Sequence, residues 1–223
     1  MNRVGLAVVG ALALAALAGP VGAADLSPRY GPPITKAPMY APGFNWTGFY
    51  VGINGGGAWG TSRWDSTNRF DVNGWLIGGT AGYNWQLGQA VFGIEADIDA
   101  TNINGSTTAF CNLGCRTKNN WLGTVRGRLG YAFDRFLPYV TGGAAFGDIQ
   151  ASTPGFAGNS TTNVGYALGG GIEFAVLQNL SVKAEYLFVD LGDFNCGLAC
   201  GARTNDKVSF RSNIFRGGLN YRF

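Results

Sequence analysis

Glu95, Asp97 and Asp99 stand at alternate positions, and Arg126 and Arg128 repeat that spacing on a later apolar segment. Glu173, Lys183, Glu185 and Arg216 add two acids and two bases near the end of the chain. Residues two apart point the same way on a strand, so each set lies along one face. Facing sets of opposite sign can neutralise one another, pass a proton, or hold two carboxylates for acid–base work. The chain contains no histidine, which removes Ser-His-Asp catalysis, His-based metal sites and His general bases together. A narrow interior demands paired signs whether or not any reaction occurs. A structural network of Glu95, Asp97, Arg126, Arg128, Glu173, Lys183, Glu185 and Arg216 therefore takes precedence over catalysis. A gated narrow channel would use the same pairs as its gate.

The second cluster is sulfur: Cys111 and Cys115 form one pair of near neighbours, and Cys196 and Cys200 another. Both fall in long polar stretches. In an exported chain such cysteines oxidise. Three connectivities are open; the local pairs are preferred, because the two stretches lie across an eight-stranded barrel from each other. A four-thiol metal site is the minor reading, since the spacing is not C-x-x-C.

Period-two alternation must position these groups. It recurs in eight segments: Trp46 to Trp59, Val72 to Gln86, Val91 to Ala100, Trp121 to Phe133, Phe136 to Gly147, Val164 to Val176, Leu180 to Leu191 and Val208 to Phe223. Each is long enough to cross a bilayer at the usual tilt. Leu87-Gly88-Gln89, Asp134-Arg135 and Leu177-Gln178-Asn179 read as tight turns. Gly60 to Asp71, Asn102 to Asn119, Asp148 to Asn163 and Gly192 to Lys207 read as long loops. Strict alternation of short and long connections is the mark of an up-and-down barrel. The apolar face is rich in rings, with Trp75, Trp85, Trp121, Tyr131, Phe133, Tyr221 and Phe223 expected near strand ends at the membrane interface. The expectation is an all-β, eight-stranded antiparallel transmembrane β-barrel whose apolar face meets lipid and whose lumen holds the charges.

The rest of the chain agrees. With 46% hydrophobic and 13% charged residues and 37 glycines in 223 positions, it is apolar and strand-rich in character. Its net charge of +3 is too small to argue for nucleic acid. Arg3, the apolar run Val4 to Ala18 and Val21-Gly22-Ala23 read as a signal peptide over residues 1–23. Cleavage is expected after Ala23, with Ala24 the second choice. Residues 24–45 carry five of the eight prolines and read as a periplasmic linker, reaching roughly 60 Å at about 3.1 Å per residue. The barrel occupies residues 46–223.

The stretches "NWTGFYVGINGGGAWG", "KAEYLFVDLG" and the terminal "FRGGLNYRF" resemble the small outer-membrane immunogenic, porin-like protein family of Gram-negative bacteria, within the OmpA-like eight-stranded barrel superfamily. The resemblance covers Ala24 to Phe223. It implies an outer-membrane location, loops outside and termini in the periplasm, no cofactor, and roles in envelope integrity or surface interaction. By the same resemblance, Tyr221 and Phe223 form the signal read by the outer-membrane assembly machinery, and a mature Ala24-Asp25 start could be joined to peptidoglycan. Lipid and lipopolysaccharide are the surrounding partners; the oligomeric state is open. The expected function is a non-enzymatic barrel with a plugged lumen. The alternatives are a narrow pore for small solutes, or binding of haemin or a host protein through the loops.

Overall fold

The computed structural model describes residues 43–64, 68–108, 115–152, 159–195 and 207–223. Eight strands follow one another: β1 Gly48–Trp64, β2 Asn68–Leu87, β3 Ala90–Thr107, β4 Cys115–Tyr131, β5 Phe136–Ser152, β6 Asn159–Ala175, β7 Leu180–Asn195 and β8 Lys207–Arg222. Each pairs antiparallel with its neighbours in the chain, and β8 pairs with β1 from Tyr50 opposite Arg222 to Trp64 opposite Val208. The sheet is a closed barrel, so no strand edge is left open. On one rim the connections are short. Gly88, at φ 64°, gives the β2–β3 hairpin a turn that a side chain would strain, and Asp134, at φ 53°, turns β4 into β5.

The strands are longer than the alternation in sequence suggests. β2 runs 20 residues and β3 runs 18, where about 9 to 11 suffice to cross a bilayer. Nearly all the extra length lies on the side of the long connections: residues 60–64, 68–71, 102–107, 115–119, 148–152, 159–163 and 192–195, expected as loop, are strand, while Leu87 and Ala90 add one residue each on the turn side. Cys115 is therefore the first residue of β4, while Cys111, Cys196 and Cys200 lie outside the described residues, as do residues 1–42 with Ala23 and Ala24.

Polarity inverts along several strands, most clearly β2 and β5. On the outer face of β2, Trp85, Tyr83, Ile77 and Trp75 give way to Asn73, Asp71 and Arg69; on its inner face, Asn84 and Thr80 give way to Leu76, Val72 and Phe70. β5 does the same, with Val140 and Phe146 followed by Asp148 and Gln150 outside, and Tyr139 and Thr141 followed by Ala145 and Ile149 inside. Trp75 and Trp85 are ten positions apart on one face. At about 3.3 Å per residue and about 40° of tilt, they bound a band about 25 Å tall, the height of an apolar belt in a membrane barrel. Trp75 and Trp121 thus lie within β2 and β4 rather than at their ends, because the wall continues above the belt. Register shifts between Ala100 and Ile103, Asn119 and Leu122, and Asp190 and Asp193 mark that level in β3, β4 and β7.

The lumen accordingly has three layers rather than one charged filling. Phe44, Trp46, Val91, Ala132, Leu137 and Ala175 close the turn-side mouth. Charged side chains fill the middle. Above them lies an apolar core that includes Leu76, Ile103, Ile149, Leu187, Phe210 and Ile214. Trp46, expected in the first strand, instead precedes β1 and is 1% exposed inside the mouth. Phe44, expected in the linker, packs edge-on against it with ring centroids 4.9 Å apart.

Candidate functional site

The middle layer is built by strand register. Glu95 on β3 lies opposite Arg126 on β4, and Glu185 on β7 opposite Arg216 on β8. The alternation turns Glu95, Asp97 and Asp99 inward together, with Ile94, Ala96 and Ile98 outward. Inward glycines make room for the two largest side chains. A Cβ at Gly143 would sit 2.6 Å from the Arg126 Cα, and one at Gly56 would sit 2.6 Å from the Arg216 Cα. No side chain fits either place.

Two arginines organise the layer. The Arg126 guanidinium donates to Glu95 Oε1 at 2.6 Å, Asp97 Oδ2 at 2.7 Å and Glu185 Oε1 at 3.1 Å, and its Nε donates to Thr124 Oγ1 at 2.8 Å. Arg216 donates to Asp97 at 3.0 and 3.1 Å, Asp99 Oδ2 at 2.9 Å and Glu185 Oε2 at 2.9 Å. Each arginine is 1% exposed. Such multidentate pairing is what compensates charges withdrawn from water.

Lys183 and Glu173 face each other in register across β6 and β7, yet each has another partner. Lys183 Nζ crosses the lumen to Glu95 Oε2 at 2.9 Å, while Glu173 accepts from Arg128, Asn220 and Ser181. Arg128 also stacks over the Tyr139 ring, 3.8 Å from its centroid. Five carboxylates, from Glu95, Asp97, Asp99, Glu173 and Glu185, meet four cations, so the layer carries one net negative charge.

All eight lumen residues named from the sequence come together here. Besides the neutral partners Thr124, Ser181 and Asn220, three further residues take part beyond those expected from the sequence. Asp99 shares Arg216; Tyr50 donates to Glu95 Oε2 at 2.8 Å; Tyr139 donates to Glu185 Oε1 at 3.1 Å. The tyrosines sit on β1 and β5, where the alternation is weakest. Their shared parity with Asn54 and Thr141 was the available signal. Tyr221 and Phe223 face outward on β8 and beyond its end. Among the described residues no group of three or more Cys, Asp or Glu side chains is arranged to hold a metal ion.

Below the charged layer the chain preceding β1 crosses the mouth. The Phe44 amide donates to Asp134 Oδ1 at 2.8 Å and Trp46 Nε1 donates to the Asp134 carbonyl at 2.9 Å, both in the β4–β5 turn. The Trp46 amide donates to Gln86 Oε1 on β2 at 2.6 Å. Arg222 lies over the Phe44 ring, 4.4 Å from its centroid. Charge pairing in the middle and rings at the mouth fill much of the lower lumen with side chains.

The family model described as outer membrane protein beta-barrel domain matches residues 4–223. The 31 kDa outer-membrane immunogenic protein of Brucella melitensis is 37% identical, over 84% of this chain and 89% of that protein. The 22 kDa outer membrane protein of Rhizobium leguminosarum bv. viciae is 35% identical, over 80% of this chain and 81% of its own length. Among solved structures, Neisserial surface protein A (NspA) aligns with a TM-score of 0.49 at 18% identity, covering 79% of this chain and 98% of that one.

Proposed function

The chain belongs to the outer membrane protein β-barrel family and resides in the outer membrane of a Gram-negative bacterium, and on that premise we propose that it is a non-conducting, non-enzymatic envelope barrel that displays its long connections to the exterior. One observation carries this reading: the lumen is crossed by a layer in which Arg126 and Arg216 each bind three carboxylates. An ion passing through would have to separate these buried pairs. Breaking a buried pair costs about 3 to 5 kcal/mol. Trp46 and the apolar upper core present two further obstacles in series.

The orientation follows from the two rims. The rim with polar outer faces extends well past the aromatic belt, as a surface that stands in water must; the other ends within a few residues of it. Membrane barrels carry short periplasmic turns and long external connections, which supports reading the tall rim as the exterior. Relatives named as immunogenic fit a role in which the exposed rim is what other molecules meet.

Planar-bilayer recording of the purified full-length protein tests this reading. The expected trace is flat, with rare brief openings at most; a steady ohmic conductance would overturn it in favour of a narrow pore. Attachment of Ala24 to peptidoglycan belongs to the same proposal, because a wall-linked barrel would serve envelope integrity. Muropeptide mass spectrometry tests it, and absence of any Ala24-linked fragment removes it.

A further inference from the structure

On the outer face of the tall rim, just above the belt, the register sets Arg63 of β1 directly opposite Arg69 of β2. Directly opposed residues on one face of a sheet have Cβ atoms about 4.5 to 5.5 Å apart, and like charges there destabilise the pairing. Among the described residues neither arginine has a carboxylate partner; Asp65 lies outside them. Two residues lower, Arg211 of β8 is held by Asp190 Oδ2 at 2.8 Å while its side chain stays 57% exposed. These three guanidiniums line a cleft of about 390 Å³ together with Ser209, Asn213 and Asp193. That volume falls in the range of small-molecule sites.

The cleft's depth says what could fill it. Trp59 pairs with Asn213 on β8 and Asn73 on β2, so it lies one step below Thr61 and Arg211. Outward-facing Trp59 and Trp75 mark the edge of the hydrocarbon, where interfacial rings sit. An occupant of the cleft therefore stands at headgroup depth against the outside of the wall. Guanidiniums suit phosphate, which they bind in a bidentate manner. Asp193 can only accept hydrogen bonds, and so suits a sugar hydroxyl rather than a second anion.

We propose that the Arg63, Arg69 and Arg211 cleft binds the phosphorylated sugar headgroup of an outer-leaflet glycolipid. The site rests on the orientation given above, with the tall rim outside. Bound phosphate would relieve the opposed Arg63–Arg69 pair.

Native mass spectrometry of the full-length protein in detergent tests the site, with diphosphoryl lipid A, fully dephosphorylated lipid A and inorganic phosphate as probes. The wild type should retain diphosphoryl lipid A about tenfold or more better than Arg63→Ala/Arg69→Ala, the scale expected for losing two charge-assisted contacts. Dephosphorylated lipid A should bind the wild type as weakly as diphosphoryl lipid A binds the variant. Inorganic phosphate should not compete, and Arg116→Ala/Lys118→Ala on the opposite wall should bind like wild type. Equal binding by wild type and Arg63→Ala/Arg69→Ala overturns the site, as does full competition by inorganic phosphate. Both arginines are exposed, so folding is checked by heat-dependent gel mobility. An epitope inserted at residues 65–67 separates the two layers of the argument. Detection on intact cells with unchanged lipid A binding rejects the cleft alone, and detection only after permeabilisation rejects the orientation beneath it.

Discussion

Ile98 and Asn104 lie on the same strand and the same outer face, yet the lumen behind Ile98 holds Asp97 and Asp99 while the lumen beside Asn104 holds Ile103. The lower barrel is apolar outside and charged inside; the upper barrel is polar outside and mainly apolar inside, with a few hydrogen-bonded polar residues such as Ser62, Thr101, Thr117 and Asn119 among the apolar ones. The surroundings account for the reversal. Where lipid covers the wall, the outer face must be apolar and the interior is free to be polar. Where water covers it, apolar side chains gain only by turning inward, as in a soluble barrel. One continuous sheet thus follows two opposite burial rules, separated at the level of Trp59, Trp75 and Trp121.

The largest test of this division falls on the charged layer. Arg216→Met leaves Asp97, Asp99 and Glu185 short of a shared cation and should cost about 3 to 5 kcal/mol, read by urea unfolding in lipid vesicles. A cost under about 1 kcal/mol would mean that the layer is solvated rather than paired. In the upper core, Ile149→Ala should cost about 2 to 5 kcal/mol through transfer and cavity effects, but leave bilayer recordings unchanged. If it opened a conductance, the upper core and not the ion pairs would be the seal.

The outer face gives the sharpest contrast. Ile98→Arg should destabilise by about 2 to 4 kcal/mol as a cation facing the membrane midplane, whereas Asn104→Arg on the same face should lie within about 0.5 kcal/mol of wild type. Equal costs would erase the boundary between the two regions. The smallest effect is that of Tyr139→Phe, which removes one donor to Glu185 at 3.1 Å. It should cost about 1 kcal/mol, and its near-additivity with Ile149→Ala would show that the two layers are energetically separate.

The same division explains what the sequence disclosed. Within the belt, alternation of large apolar and charged residues is unambiguous, and it places Glu95, Arg126, Glu185 and Arg216 on the inner face with their neighbours in correct order. Above the belt the signal weakens, because the outer face becomes Asn102, Asn104, Arg116 and Lys118, which read as loop. The inner residues Ile103 and Thr117 are too sparse to announce a strand by themselves. Cross-lumen contacts such as Arg126 to Glu185 and Lys183 to Glu95 depend on closure, which register between neighbours does not encode. Lys183 illustrates the limit: its partner in register is Glu173, but across the lumen its ammonium reaches Glu95.

The chain entering the mouth through Phe44 and Trp46 also sets how the barrel would bear load. The segment runs from the β4–β5 turn, where Asp134 grips it twice, across the opening to β1. A pull on the residues before Gly43 is first taken up by Asp134 on the far wall. The β1–β8 seam, which joins the two ends of the barrel sequence, is spared until that grip fails. The anchorage therefore works as a strain relief, like a cable clamped to a housing ahead of its solder joint, and tension reaches the closure of the barrel only after Trp46 has been drawn out of the mouth.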